Sequence, residues 1–184
     1  MFGLIKKKRR PTEVTDRTSL NSMKGKFIGQ TESLAMEGQQ QHAWGGLFNP
    51  VDSGVHMVFD TFTITNFSSQ FLNAEIWFNS KLPGKGIPSS LIHPANLALT
   101  PLPQPKVELL YASEVNGTPM GGINVFNRTV APSTTLISES GKGSIILPPG
   151  GSLAIFVRSP GPFKYETRFA FTWWEDQNAA GGPL

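Results

Sequence analysis

The chain has 184 residues, of which 39% are apolar, 16% are charged, 19 are Gly, 15 are Pro and none is Cys. That length suits one well-buried domain. The Gly and Pro content excludes a helical bundle, the apolar content excludes a disordered chain, and the missing cysteines exclude disulfides, thiolate metal sites and cysteine nucleophiles. Charge is segregated: residues 1–26 hold eight Lys or Arg against two acids, a balance of +6, while the rest hold eight against eleven, a balance of −3.

Residues 1–24 read as a basic N-terminal arm without a period of 2 or 3.6. Its apolar tip, Phe2, Leu4 and Ile5, precedes the cationic run Lys6, Lys7, Lys8, Arg9 and Arg10. The tip is too short for the core of a Sec signal peptide, and no later stretch of about 18 apolar residues could span a bilayer. No signal peptide and no membrane span are therefore expected.

From residue 25 to 178 the chain is a series of short β-type runs separated by Gly, Pro, Asn and Ser, and residues 179–184 read as a tail. The expected fold is all-β: a single jelly-roll-like antiparallel sandwich of about nine or ten strands with an extended arm. In chain order the runs are Lys26–Thr31, Ala43–Phe48, Val55–Thr65, Leu72–Asn79, Val107–Tyr111, Ile123–Val130, Thr134–Ser138, Ser144–Leu147, Leu153–Val157 and Tyr165–Trp173. Tyr165–Trp173 alternates strictly, so one face is buried and the other wet. Leu153–Val157 is apolar on both faces, which predicts a central strand covered on two sides. In Val55–Thr65 the apolar parity switches between Phe59 and Phe62, the mark of a bulge or a change of partner. Leu82–Pro105 holds six prolines and reads as a long ordered crossover. Asn116-Gly117 is the strongest tight-turn signal, and Pro148-Pro149-Gly150-Gly151 must turn as well.

Chemistry is sparse. His42, His56 and His93 have no metal-ligand spacing, so no metal or cofactor site is expected. No nucleophile elbow, Walker loop or dinucleotide turn is present, and Gly84-Lys85-Gly86 and Gly141-Lys142-Gly143 read as turns with an exposed lysine. Glu75, Glu108 and Glu166 alternate with basic residues on outward strand positions, which suits solubilising charge better than a glycosidase pair. Of the four tryptophans, Trp44 and Trp173 read as packing residues. Trp77 and Trp174 fall on faces expected to be wet and are candidates for a subunit contact or a glycan platform. The sequons at Asn66, Asn116 and Asn127 carry no weight without an export signal.

Leu47-Phe48-Asn49-Pro50, Ser53-Gly54-Val55, Thr63–Ser68, Pro148–Ser152 and Phe171–Glu175 together resemble an uncharacterised family of small proteins of spore-forming bacteria, with some likeness to phage structural proteins. The resemblance covers roughly residues 25–175 and leaves the arm outside. It implies a β-sandwich with no known catalytic residues, in the style of a spore appendage or surface filament subunit.

The leading expectation is a non-enzymatic structural subunit that self-assembles head to tail, its arm (Phe2, Leu4, Ile5 and Lys6–Arg10) docking on the next copy. It would lie outside the cell, on a spore or on a particle surface once assembled. The alternatives are a virion or phage coat or decoration protein whose arm binds nucleic acid, and a carbohydrate-binding module using Trp77 and Trp174. An enzyme comes last.

Overall fold

A computed structural model describes residues 25–38, 40–139, 145–159 and 161–176. Its framework is set by the longest alternating run. Tyr165, Thr167, Phe169, Phe171 and Trp173 are each at most 1% exposed, while the residues between them face outward. Strand alternation puts every second side chain on the same face, so a run of this pattern needs a second sheet to cover it.

In chain order the strands are β1 (Lys26–Gln30), β2 (Leu34–Glu37), β3 (His42–Phe48), β4 (His56–Asn66), β5 (Leu72–Phe78), β6 (Ile87–Pro88), β7 (Ile92–Pro94), β8 (Glu108–Val115), β9 (Ile123–Val130), β10 (Thr134–Glu139), β11 (Ile145–Leu147), β12 (Ser152–Arg158) and β13 (Lys164–Asp176). They form two antiparallel sheets. One runs β10-β4-β13-β1-β7, with β11 also on β4 and β2 on β13; the other runs β6-β8-β3-β12-β5-β9. The inner faces meet as a sandwich. Phe27, Phe59, Phe62, Ile64, Phe169, Phe171 and Trp173 of the seven-stranded sheet pack with Leu47, Leu72, Ile76, Leu153, Ile155 and Val157 of the six-stranded one. Burying each such side chain contributes roughly 1.5–3 kcal/mol. The protein is an all-β sandwich, as its alternation predicts.

All ten predicted runs contain a strand, and β2, β6 and β7 are additional. These three are short and carry little alternation. They exist because a neighbour offers a ladder, as when Met36 of β2 pairs with Tyr165 of β13. The proline-rich crossover thus contains β6, paired with β8, and β7, paired with β1.

The parity switch in β4 has both expected causes. Trp173 pairs with Phe59 and Thr172 with Thr61, leaving Asp60 as the extra residue of a bulge. At the same place the neighbour on the other side changes from β11 to β10. The bulge lets Met57 and Phe59 before it, and Phe62 and Ile64 after it, all face the core. Strand β12 is central, between β3 and β5, and its Phe156 is buried on the outer face. Asn116-Gly117 does not close a hairpin. Gly117 has φ +96°, but β8 pairs with β3 and β9 with β5, so the turn sends the chain across the sheet.

Candidate interaction surfaces

The outer face of the seven-stranded sheet is built in rows by its register. One row runs Ile146, Val58, Trp174, Lys26. The next holds Glu139 at its β10 end, then Thr61, Thr172, Ile28 and His93. A third runs Ile137, Thr63, Ala170, Gln30, and a fourth Thr135, Thr65, Arg168. Ile28, Ile137 and Ile146 are 50%, 64% and 55% exposed, and the Thr65 and Thr135 hydroxyls bond at 3.0 Å. The middle of this face is isoleucine, threonine and alanine, with charge at its margins. Such a patch resembles a protein contact more than ordinary surface, because interface cores are depleted in charge.

Trp174 lies on this face but is not exposed, which corrects its reading as a free contact residue. The side chain is 9% exposed, and Lys26 Nζ sits 4.3 Å from its ring centroid while also pairing with Asp60 at 3.2 Å. A cation held over an indole face by its own ion pair closes that face to a ligand.

Trp77 lies on the other sheet, so the two tryptophans point to opposite sides of the sandwich and cannot form one platform. Its Nε1 donates to Glu75 Oε2 at 2.9 Å, and its ring packs on a second small core. That core is Trp44, Ala112, Val115 and Phe156, with Phe48, Leu82, Leu110 and Trp77 around it. The start of the proline-rich crossover covers it: Trp44 Nε1 donates to the Pro83 carbonyl at 2.7 Å, and a side chain at Gly86 would come within 2.8 Å of the Trp44 ring. The sequence signal for this second core was the two-faced apolarity of β12.

Glu75 is also bound by Arg158, whose Nε donates to Oε1 and whose Nη2 lies 3.4 Å from Oε2. Glu108 on β8 is three strand steps from β5, about 14 Å at the usual spacing, and Glu166 is on the opposite sheet, where it accepts from Ser33 Oγ. The three acids are not a catalytic pair. Among the described residues no group of three His, Asp or Glu could hold a metal ion, and no helix is long and apolar enough to cross a membrane. Two surface depressions among the described residues, of about 410 and 300 Å³, are lined in part by polar groups that serve the fold. In the larger, Asn79 Oδ1 accepts from the Ser152 amide at 2.9 Å, and Asn49 Nδ2 donates to the Val55 and Leu147 carbonyls. In the smaller, Glu75 and Arg158 neutralise each other.

His42 stands at the margin of the second core, its ring 5.2 Å from that of Phe156. Burial, and then the neighbouring Arg158 guanidinium, hold it below its ordinary pKa of 6.5. As pH falls through 6.5 the unfolded chain takes up a proton that the folded chain resists, so His42 lowers stability toward acid and has no such effect above that pH. The melting temperature of the wild type should fall between about pH 7.5 and pH 5.5, and His42→Gln should flatten part of that slope. Parallel slopes in a thermal-shift series would refute the assignment.

The edges of the sandwich are unequal. On one side they are β6, which ends in Pro88, and β7, which ends in Pro94, of two and three residues. On the other they are β9 and β10, of eight and six residues with no proline. The arm residues Phe2, Leu4, Ile5, Lys6, Lys7, Lys8, Arg9 and Arg10, and the Gly141-Lys142-Gly143 turn, lie outside the described residues.

A family model matches residues 4–179. The chain belongs to DUF6143, a family of unknown function. No curated protein and no solved structure is significantly similar to it. The DUF6143 match begins at residue 4 and so takes in Leu4, Ile5 and the whole cationic run, whereas the resemblance is expected over roughly residues 25–175. The DUF6143 residues that carried the resemblance are fold determinants: Asn49 and Asn66 bond backbone carbonyls, Pro148–Gly151 is a turn, and Glu175 anchors the crossover.

Proposed function

We propose that this DUF6143 protein is a non-enzymatic structural subunit that assembles with copies of itself, its N-terminal arm docking on a neighbour. The single observation that carries this reading is the outer face of the seven-stranded sheet, where three exposed isoleucines stand among threonines and alanine across five strands. A solitary soluble domain gains nothing from such a face, whereas a second subunit covering it removes apolar area from water. Charge segregation supports the arm's part. Its five consecutive cations would be drawn to a neighbour whose residues beyond 26 sum to −3, and the apolar tip supplies a short anchor. The resemblance read from the sequence implies the style of a spore appendage or surface filament subunit, which favours a place on the outside of a spore or particle.

Negative-stain electron microscopy and sedimentation velocity test this on the full chain. The wild type should form filaments or closed particles, and a variant with Phe2→Ser, Leu4→Ser and Ile5→Ser should not, with an unchanged circular dichroism spectrum. Wild-type monomers at every concentration would overturn the assembly reading. Unaltered assembly by the variant would overturn the arm's part in it. Nucleic acid co-purifying in proportion to the Lys6–Arg10 charge, and lost in salt, would favour the coat-protein alternative.

A further inference from the structure

We infer that β10 is a self-complementary pairing strand, through which two copies join their seven-stranded sheets antiparallel about a twofold axis. This deepens the assembly reading and rests on it for the identity of the occupant, a second copy of this chain. An edge strand presents unpaired amides and carbonyls, and proteins that must stay apart blunt such edges with prolines, charges, bulges or short length. On one side of this sandwich that protection is present, in β6 and β7 with Pro88 and Pro94. Strand β10 has no proline, bulge or two-residue shortness, and its one charge is the terminal Glu139. Thr134–Ser138 contains no charge, proline or glycine, it pairs with β4 in unbroken register from Thr134–Asn66 to Glu139–Thr61, and no described strand lies beyond it.

The neighbouring edge β9 is protected in two ways. Its register on β5 breaks between Asn124 and Phe126, leaving Val125 as a bulge. The straight remainder, Phe126–Val130, centres on Arg128, which a twofold would set against its own copy. In β10 the same operation is benign. A twofold normal to the sheet keeps outer residues with outer residues, so residues pair with partners of the same parity. With the axis at Ile137, Ile137 meets Ile137 of the second copy, Leu136 meets Ser138, and Thr135 meets position 139. The 64% exposed Ile137 is thereby covered by its own equivalent. The isoleucine and threonine rows of the two outer faces then run on as one surface. A single strand pair buries less than a stable dimer needs, so this contact acts together with the arm, each raising the effective concentration for the other.

The chain has no cysteine, which makes a single introduced thiol diagnostic. In the full chain, Ile137→Cys should form a disulfide dimer under mild oxidation roughly tenfold or more faster than Ile123→Cys, a control on β9 with the same 64% exposure. Ile137→Lys, a charge on an exposed edge position, should keep the fold and weaken concentration-dependent association in sedimentation velocity. Equal cross-linking rates, faster reaction at position 123, or undiminished association of Ile137→Lys would each overturn the proposal. Cross-linking through position 137 in a protein whose arm variant assembles normally would retain the edge and remove the arm. Loss of assembly on arm substitution without cross-linking at 137 would do the reverse.

Discussion

Asn66→Ala should destabilise the protein by roughly 3 kcal/mol, the upper end of the cost of leaving buried hydrogen-bonding groups unsatisfied. Asn66 is the last residue of β4 and is 1% exposed. The two Nδ2 hydrogens are shared among the carbonyls of Gln70 at 2.7 Å, Ala131 at 3.0 Å and Val130 at 3.2 Å, and its Oδ1 accepts the Ser68 amide at 2.9 Å and the Ser68 hydroxyl. One carboxamide therefore ties the turn between β4 and β5 to the passage from β9 to β10, where the chain moves from one sheet to the other. Alanine takes this partner from the Gln70 and Val130 carbonyls and the Ser68 amide, while the Ala131 carbonyl keeps the Thr134 hydroxyl at 2.8 Å. For a domain of this size the melting temperature should drop by about 10 °C. Asn66→Asp should be no better, because a carboxylate cannot donate and would face the same carbonyls. Urea unfolding of both variants decides this, and a loss below about 1 kcal/mol would show that water replaces the side chain.

Glu175→Ala is the second large effect expected. The Glu175 carboxylate accepts from the amides of Lys106 at 3.0 Å and Val107 at 2.9 Å and from Trp173 Nε1 at 3.2 Å, while its own amide bonds the Gly25 carbonyl at 3.0 Å. Three donors converge on one charge and fasten the end of the proline-rich crossover to β13. Hydrogen bonds to an ionised group contribute about 1.5–3 kcal/mol each but are not additive, so a loss of roughly 3 kcal/mol is expected. Glu175→Gln keeps an oxygen for the same donors and loses only charge assistance, so about 1 kcal/mol should go. Equal losses for the two variants would mean that packing, not acceptance, is what Glu175 provides.

Both residues stand in short stretches of sequence whose composition marks a turn or a strand end, yet neither role could be read there. Asn66 followed by Ser68 reads as a sequon or a turn. Its actual partners, Val130 and Ala131, are more than sixty residues away. Glu175 reads as a charged residue at the end of a strand, and its amide donors lie 68 and 69 positions earlier. The second core is a similar case. Phe156 between Ile155 and Val157 showed that β12 is covered twice, but the cover, Leu82 against the small core and Pro83 bonded to Trp44, comes from a segment without alternation.

Periodicity alone determined that this chain is a two-layer β-sandwich, that β12 is central and that β4 is irregular near residue 60, because each of these follows from which side of a pleated strand is apolar. Charge order along the chain likewise marked off the basic leader. Tertiary structure alone decided that Trp174 lies under Lys26, that Trp77 belongs to a small core, and which sheet edges are blunted and which have no further strand among the described residues. Exposure at an outward position depends on what distant segment folds over it, and an edge is free only in relation to strands remote in sequence. Local pattern carries neither.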